Sequence, residues 1–320
     1  MVINHRSARR PNNQLPIIWR HLNPYTFILP GLVVMLLTTF IPAMATLYIA
    51  FTNYSVVHLK NWHFVGLYNF QKILLGASQG DFLAVFGWTI IWAFLSTSLS
   101  FSLGLFLAML LNHPRLKERN LYRTILILPW ALPATLTILA LTGLFSTSFG
   151  PLNRLLVQIG LTPQPWLTDP YWARITCLIV GIWLGFPFMM SICLGALQSI
   201  SNELYDAGKI DGTSSWQAFR FITFPLITTA TLPLLIAGFA MQFNNFNTIY
   251  LLTGGGPYYK PGSLAGATDL LGTYMYKIAF GSASQDYGLS AATGILLFLI
   301  VGGLTLLNSR ITGAFREVDV

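Results

Sequence analysis

Charge is what this sequence has least of. Only 9% of its 320 residues are Asp, Glu, Lys or Arg, where a water-soluble domain carries about 25%. That leaves too little polar surface for a soluble enzyme of this length, and no charge-rich block stands apart as a second domain. Acids are the scarcer sign, 10 against 18 basic residues. Cysteine is nearly missing. Cys177 and Cys193 share one apolar run, which excludes a disulfide scaffold and a thiolate metal centre. The five histidines (His5, His21, His58, His63 and His113) all fall in predicted tails or loops. His58 and His63 are the nearest pair, but they stand five apart among aromatics, a setting for interfacial packing. No metal site is expected. A phosphate loop is missing too: Gly254-Gly255-Gly256-Pro257 has no Lys-Ser/Thr after it and reads as a tight turn.

What the sequence does have is apolar length. Hydrophobic residues make up 54%, with a mean hydropathy of +0.62, and they gather in runs long enough to cross a bilayer. The predicted fold is an all-α polytopic membrane protein. Six spans are expected, at 26–51, 84–111, 124–146, 175–197, 226–252 and 287–307. Pro30, Pro42, Pro129, Pro133 and Pro187 fall inside them as bends, because neighbours or water can satisfy a freed carbonyl. Residues 253–286 read as a glycine-rich loop. The domain reading is a polar tail (1–25), one transmembrane domain (26–307) and a short tail (308–320). The basic start is expected to be a tail and not a cleaved leader, since the apolar run after it exceeds a signal core.

The charge of +8 is a topology signal on such a chain, not a mark of nucleic-acid binding. With both tails inside, twelve of the 18 basic residues are cytoplasmic: Arg6, Arg9, Arg10, Arg20, Arg115, Lys117, Arg119, Arg123, Lys209, Arg220, Arg310 and Arg316. Lys60, Lys72, Arg154, Arg174, Lys260 and Lys277 are then outside. The bias predicts N-in, C-in, and puts the polar island 201–225 in the cytoplasm.

That island, SNELYDAGKIDGTSSWQAFRFITFP, is predicted as two short helices. Ser201 or Asn202 caps the first, which carries Glu203, Leu204, Asp206, Ala207 and Ile210. Asp211-Gly212 makes a turn. Ser214 and Gln217 fit a capping box for the second helix, expected to end before Pro225. Its residues DAGKIDGTSSWQAFRFITFP resemble the EAA loop of ATP-binding-cassette importer permeases. The resemblance implies that Glu203, Asp206, Ala207, Gly208, Asp211 and Gly212 couple the chain to an ATPase.

In the fifth predicted span, MQFNNFN places four amides at positions 241–247. An unpaired buried amide costs about 1–3 kcal/mol, so these groups must meet one another or a wet cavity. At 3.6 residues per turn Gln242 and Asn245 share a helical face, and Asn244 points elsewhere. Amides beside aromatic rings suit a neutral sugar; the plain alternative is a hydrogen-bonded contact between helices.

MQFNNFNTIYLLTGGGP, WLGFPFM at 183–189, TDLLGTYMYKIAF and QDYGLSAA resemble the larger permease subunit of maltose-type carbohydrate importers. The resemblance implies a substrate held mid-membrane by Gly181, Leu184, Gly185 and Phe188 in the fourth span and by Met241, Gln242 and Asn245 in the fifth. It implies a second homologous permease, two ATPase subunits that hold the ATP and magnesium, an extracellular or periplasmic sugar-binding protein, surrounding membrane lipid and a bacterial inner-membrane location. This chain is then no enzyme and binds no cofactor. Residues 148–173 are too short for the large insert of the enterobacterial relative, so small loops must meet the binding protein. Met241-Gln242 stands where the family has an aromatic-asparagine pair, Phe188 for a tyrosine and Gly181 for an asparagine. These departures leave room for trehalose, sucrose, a longer glucan or a glucosylated polyol. A membrane-embedded enzyme or an assembly subunit is the rival class. An enzyme of that kind needs acids, bases or metal ligands within its spans, and every Asp and Glu here is predicted in a loop or at a membrane edge.

Overall fold

The computed structural model describes residues 25–260 and 262–312. The tails 1–24 and 313–320, with Arg6, Arg9, Arg10, Arg20 and Arg316, lie outside the described residues. Among the described residues every regular element is helical. There is a unit ending at Tyr48 and a unit beginning at Ile49. Helix α1 (Thr26–Ile49) winds through a π-helical turn at Leu36–Phe40, and the apolar side chains along it from Ile28 to Met44 are exposed. The later elements are α2 (Tyr68–Leu74), α3 (Gln79–Leu111), α4 (Arg119–Ala131), α5 (Ala134–Leu144), α6 (Pro151–Gln158), α7 (Pro170–Gln198), α8 (Asn202–Ile210), α9 (Ser215–Phe243), α10 (Asn247–Thr253), α11 (Leu271–Tyr276) and α12 (Tyr287–Thr312).

Five described helices, α1, α3, α7, α9 and α12, are long and apolar enough to cross a membrane. The third predicted span is not one straight helix. It breaks into α4 and α5, bent by 91°, because Leu132 is extended (ψ 147°) ahead of Pro133. A residue before proline is pushed out of the helical region by the ring. Counting that pair as one span gives six.

The frame of the unit is α7 lying along α3. The two backbones come close where side chains are smallest, as small residues allow in membranes. A Cβ on Gly104 would stand 2.6 Å from the Met190 nitrogen, and one on Gly185 would stand 2.7 Å from Ser100 Oγ. Helix α7 starts where Asp169 caps it, its Oδ1 accepting from the N–H groups of Tyr171 (2.9 Å) and Trp172 (3.1 Å), with Pro170 at the first turn where its missing donor is harmless.

Two further boundaries differ from expectation. Helix α9 does not end before Pro225. The backbone passes through a π-helical segment, Phe219–Thr223, and Pro225 enters at the first turn of the α-helix after it, so the run is unbroken from Ser215 to Phe243. At its far end, however, the predicted fifth span stops early. Residues 244–246 leave the helix before α10 begins.

The glycine-rich stretch 253–286 is more than a loop. Gly254 and Gly255 take φ of +60° and +80°, the expected turn, and a Cβ on Gly255 would fall 1.8 Å from Asp269 Oδ1. Around this turn α11 and a π-helical segment, Lys277–Gly281, pack into the core. Asp269 lies in a loop, as expected of the acids, yet it is 0% exposed. Its carboxylate accepts from Lys277 Nζ (2.7 Å), the Gly266 N–H (2.7 Å) and Thr273 Oγ1 (2.8 Å). Burial pushes the Asp269 carboxyl above the ordinary carboxylate range, and the Lys277 ammonium opposes the shift.

Candidate functional site

Helices α3, α4, α7 and α9 enclose a cavity of about 340 Å³, within the ~300–1,000 Å³ of small-molecule sites. It is lined by Thr97, Ser100, Trp130, Leu184, Gly185, Phe188, Met189, Gly238, Met241 and Gln242. Five of the seven residues proposed from sequence as substrate contacts are among them: Leu184, Gly185, Phe188, Met241 and Gln242. Gly181 and Asn245 are not.

Gly181 serves packing. A Cβ there would lie 2.6 Å from Trp92 Cη2 and 3.1 Å from Ser96 Oγ, so the indole of Trp92 takes the room that a longer side chain at 181 needs. Asn245 does not line the cavity. It is outside the helix, so the shared helical face predicted for it and Gln242 does not hold; a side-chain bond joins them instead. Asn245 Nδ2 donates to Gln242 Oε1 (3.0 Å), and Asn245 Oδ1 accepts the Thr248 N–H (3.2 Å). One of the two lone pairs of Gln242 Oε1 is thereby used, and the end of the amide without a partner among the described residues is the Nε2 donor.

Five lining residues were missed from sequence: Thr97, Ser100, Trp130, Met189 and Gly238. Trp130 sits at the α4 break with its ring 6.2 Å from that of Phe188, inclined 39°, and both rings are partly exposed. Thr97 and Ser100 come from α3, and their buried hydroxyls have no hydrogen-bond partner among the described residues. The signal for Trp130 was present in Pro129-Trp130-Ala131-Leu132-Pro133, where two prolines force a break beside an aromatic. Ser and Thr, common in apolar helices, gave none. The wall is therefore an aromatic pair, the apolar side chains of Leu184, Met189 and Met241, two glycines and a few hydroxyl and amide groups, and it carries no charge. Such a wall can hold a neutral polyhydroxylated ligand by stacking and hydrogen bonds. Among the described residues no group of three or more His, Cys, Asp or Glu could hold a metal ion. His58 and His63 take separate partners, Ser55 and Asn53.

The second set of proposed residues forms a helix-turn-helix. Ser201 Oγ accepts the Glu203 N–H (3.3 Å), and α8 closes with the Gly212 N–H on Lys209 O (3.1 Å) and the Thr213 N–H on Gly208 O (2.9 Å). Gly212, at φ +73°, is the left-handed residue that this closure requires. The capping box is present, with Ser214 N on Gln217 Oε1 (2.7 Å) and Gln217 N on Ser214 Oγ (3.3 Å). Tyr205 and Gly208 face inward: the Tyr205 hydroxyl meets Thr223 Oγ1 (3.0 Å), and Gly208 is buried under Thr213 and Ile222. Glu203, Leu204, Asp206, Ala207, Asp211 and Gly212 are exposed, Ile210 is 88% so, and Trp216 65%. Asp206 pairs with Lys209 (2.8 Å) in solvent. The knob thus offers acids and bare apolar side chains together.

Residues 100–313 match the family described as the binding-protein-dependent transport system inner membrane component. The chain belongs to that family. It is 38% identical to the galactooligosaccharides transport system permease protein GanP of Bacillus subtilis, over 98% of this chain and 76% of that one. It is also 38% identical to the maltodextrin transport system permease protein MalC of Streptococcus pneumoniae, over 99% and 77%. A 44% identity to the maltose/maltodextrin permease protein MalF of Vibrio parahaemolyticus spans 79% of this chain and 49% of that one. Among solved structures, a chain of a bacterial ABC transporter that imports the acidic polysaccharide alginate shares the fold, with a TM-score of 0.71 over 92% of this chain and 96% of that one at 22% identity. As a member of this family the chain is a multi-pass membrane protein, and the helix-turn-helix lies inside the matched region.

Proposed function

We propose that this chain is a permease subunit of an ATP-driven importer for a neutral oligosaccharide of the maltodextrin class, and that the cavity between α3, α4, α7 and α9 is its half of the translocation path. The observation that carries the reading is the uncharged wall: the Trp130–Phe188 ring pair for a sugar's CH face, with the Gln242 amide, Thr97 and Ser100 nearby. Relatives named for maltodextrin and galactooligosaccharides support a glucan or galactan. The alginate importer's acidic cargo fits this wall poorly, since no lining residue is cationic.

The knob built from α8 and the start of α9 docks, on this reading, into one of two ATPase subunits on the cytoplasmic side. Glu203, Asp206, Ala207, Gly208, Asp211 and Gly212 form or support the contact, and ATP with magnesium stays in the partner. A second permease completes the path, and a sugar-binding protein delivers cargo at the outer face. Both tails are cytoplasmic. Closure of the ATPases moves the knob, and the spans reorient around the cavity. Uptake of a panel of radiolabelled sugars by the reconstituted complex tests the assignment. Maltotriose and longer maltodextrins should compete with one another and a galactan should compete weakly; preferential uptake of an anionic sugar would overturn the proposed neutral cargo.

A further inference from the structure

The turn between α3 and α4 joins an apolar slot to a cluster of cations. A cavity of about 600 Å³ opens there, sharing no lining residue with the proposed substrate cavity. Its walls are Leu107, Leu110 and Leu111 of α3, Leu116 of the turn, and Ile125 and Leu126 of α4. Three polar residues complete the lining, His113, Arg115 and Tyr122. His113 Nδ1 accepts the Arg115 backbone N–H (3.2 Å), so the ring proton sits on Nε2, where it can be donated outward. Arg115, Lys117, Arg119 and Arg123 are all exposed, and among the described residues none of them forms an ion pair, Glu118 notwithstanding.

We propose that this slot binds an anionic phospholipid, with the phosphodiester on Arg115, His113 Nε2–H and the Tyr122 hydroxyl, and an acyl chain along the leucine wall. Charge complementarity is the first reason. Four unneutralised cations flank a slot lined by six aliphatic side chains, and a ligand answering both must be an anion with a long apolar tail. A zwitterionic lipid brings its own cation and gains less from the cluster. Depth is the second. Helix α3 has 33 residues and so spans about 50 Å at 1.5 Å per residue, beyond the ~30 Å of a hydrocarbon core. The slot takes in its last two turns, next to the polar Asn112-His113-Pro114, which is headgroup level. Basic pockets between spans on a cytoplasmic face are where acidic headgroups are drawn in.

The test uses the full chain assembled with its partner subunits in phosphatidylcholine nanodiscs. A trace of lipid with a photoactivatable acyl chain is added, either phosphatidylglycerol or phosphatidylcholine of the same chains. Phosphatidylglycerol should label residues 107–126 roughly 25-fold more than phosphatidylcholine, about fivefold for each of Arg115 and Arg119. Arg115→Gln should lower that labelling about fivefold, the effect of one basic residue near an acidic headgroup. Arg115→Lys should retain most of it, and Arg115→Gln with Arg119→Gln should bring it to the phosphatidylcholine level. Equal labelling by the two wild-type samples would overturn the proposal, leaving only ordinary annular lipid. Labelling seen for the chain alone but abolished by the ATPase subunits would overturn it as well, making this face a protein contact. Should Arg115→Gln fail to assemble, the wild-type lipid ratio and Arg115→Lys still decide. The readout needs no transport, so it is independent of the cargo assigned above.

Discussion

Replacing Gln242 separates substrate recognition from helix packing. Its Oε1 accepts from Asn245 Nδ2 at 3.0 Å, and the end of the amide without a partner among the described residues is the Nε2 donor. Gln242→Leu removes that donor and leaves a bound hydroxyl unsatisfied, at about 1–3 kcal/mol, or roughly 5- to 150-fold in apparent uptake efficiency. Asn245→Leu removes the bond that orients the amide but leaves the donor in place. The net value of such a bond is about 0.5–1.5 kcal/mol, so the expected loss is roughly 2- to 13-fold. Gln242→Glu keeps an oxygen for Asn245 and puts an acceptor where the donor was; its uptake should fall at least as far as that of the leucine variant. The assay is uptake of labelled oligosaccharide into proteoliposomes per assembled complex, with basal ATPase activity measured on the same preparation and expected to be unchanged. If Asn245→Leu costs more than Gln242→Leu, or if Gln242→Leu transports normally, the assignment of Gln242 as the reading group fails. A uniform loss of assembled complex with normal uptake by what remains would assign both amides to packing.

Gly212→Val should cripple sugar-stimulated ATPase activity or release the ATPases from the membrane, because valine resists φ +73°; full coupled transport would refute the role. Gly208→Ala gains about 1 kcal/mol of helix propensity but brings a Cβ within 2.9 Å of Thr213 Oγ1. It should therefore be near neutral alone and stabilising in a Thr213→Ala background, and equal effects in both backgrounds would remove the contact from consideration. For orientation, Ser215→Cys should react with an impermeant thiol reagent only from the cytoplasmic side and Lys260→Cys only from outside, both sites being exposed while Cys177 and Cys193 are buried; labelling of both from one side would break the topology. Lys277→Met should lower the apparent melting temperature by about 6 °C or more, from the ~3–5 kcal/mol cost of stranding a buried charge. Because burial raises the folded-state pKa of Asp269 above its unfolded value, folding favours the protonated form. The Lys277→Met deficit should then be fully present at high pH and shrink as pH falls through the raised folded-state pKa, and a deficit that grows on acidification would contradict this account.

The knob was legible in sequence because its determinants are local. A Ser201 cap, a left-handed Gly212 and the Ser214–Gln217 box each act within three or four residues. Pro225 misled for a related reason: the expectation that proline ends a helix assumes α geometry, and the π-helical turn at Phe219–Thr223 changes the carbonyl register ahead of the ring. The break after Phe243 was hidden because no glycine or proline marks it and the apolar run continues to Leu252. There the side chain of Asn245 holds the Thr248 N–H, doing locally what a helical carbonyl would. The pairing of Asp269 with Lys277 was out of reach for another reason. The two are eight residues apart in a stretch rich in glycine, and only the packing of α11 shows that both are buried.

The two sets of residues read separately from the sequence are joined by the helices themselves. Helix α9 begins at Ser215, inside the knob, and ends at Phe243, one residue past Gln242. Its 29 residues cover about 44 Å at 1.5 Å per residue. Helix α7 carries Leu184, Gly185 and Phe188 and ends at Gln198, three residues before the Ser201 cap. Two of the four helices that line the proposed substrate cavity therefore lead directly to the proposed ATPase contact, one on each side of Gly212. Tyr205 bonded to Thr223, and Gly208 seated against Ile222, tie α8 to the foot of α9. A displacement of the knob is thus passed to α9 through packed atoms, and α9 ends in the Gln242 amide and its Asn245 support. Alternating access in this subunit then requires no relay of small side-chain shifts. Tilting α9 and α7 relative to α3 is enough to alter the cavity, since Thr97 and Ser100 on one wall and Gln242 and Phe188 on the others belong to different helices.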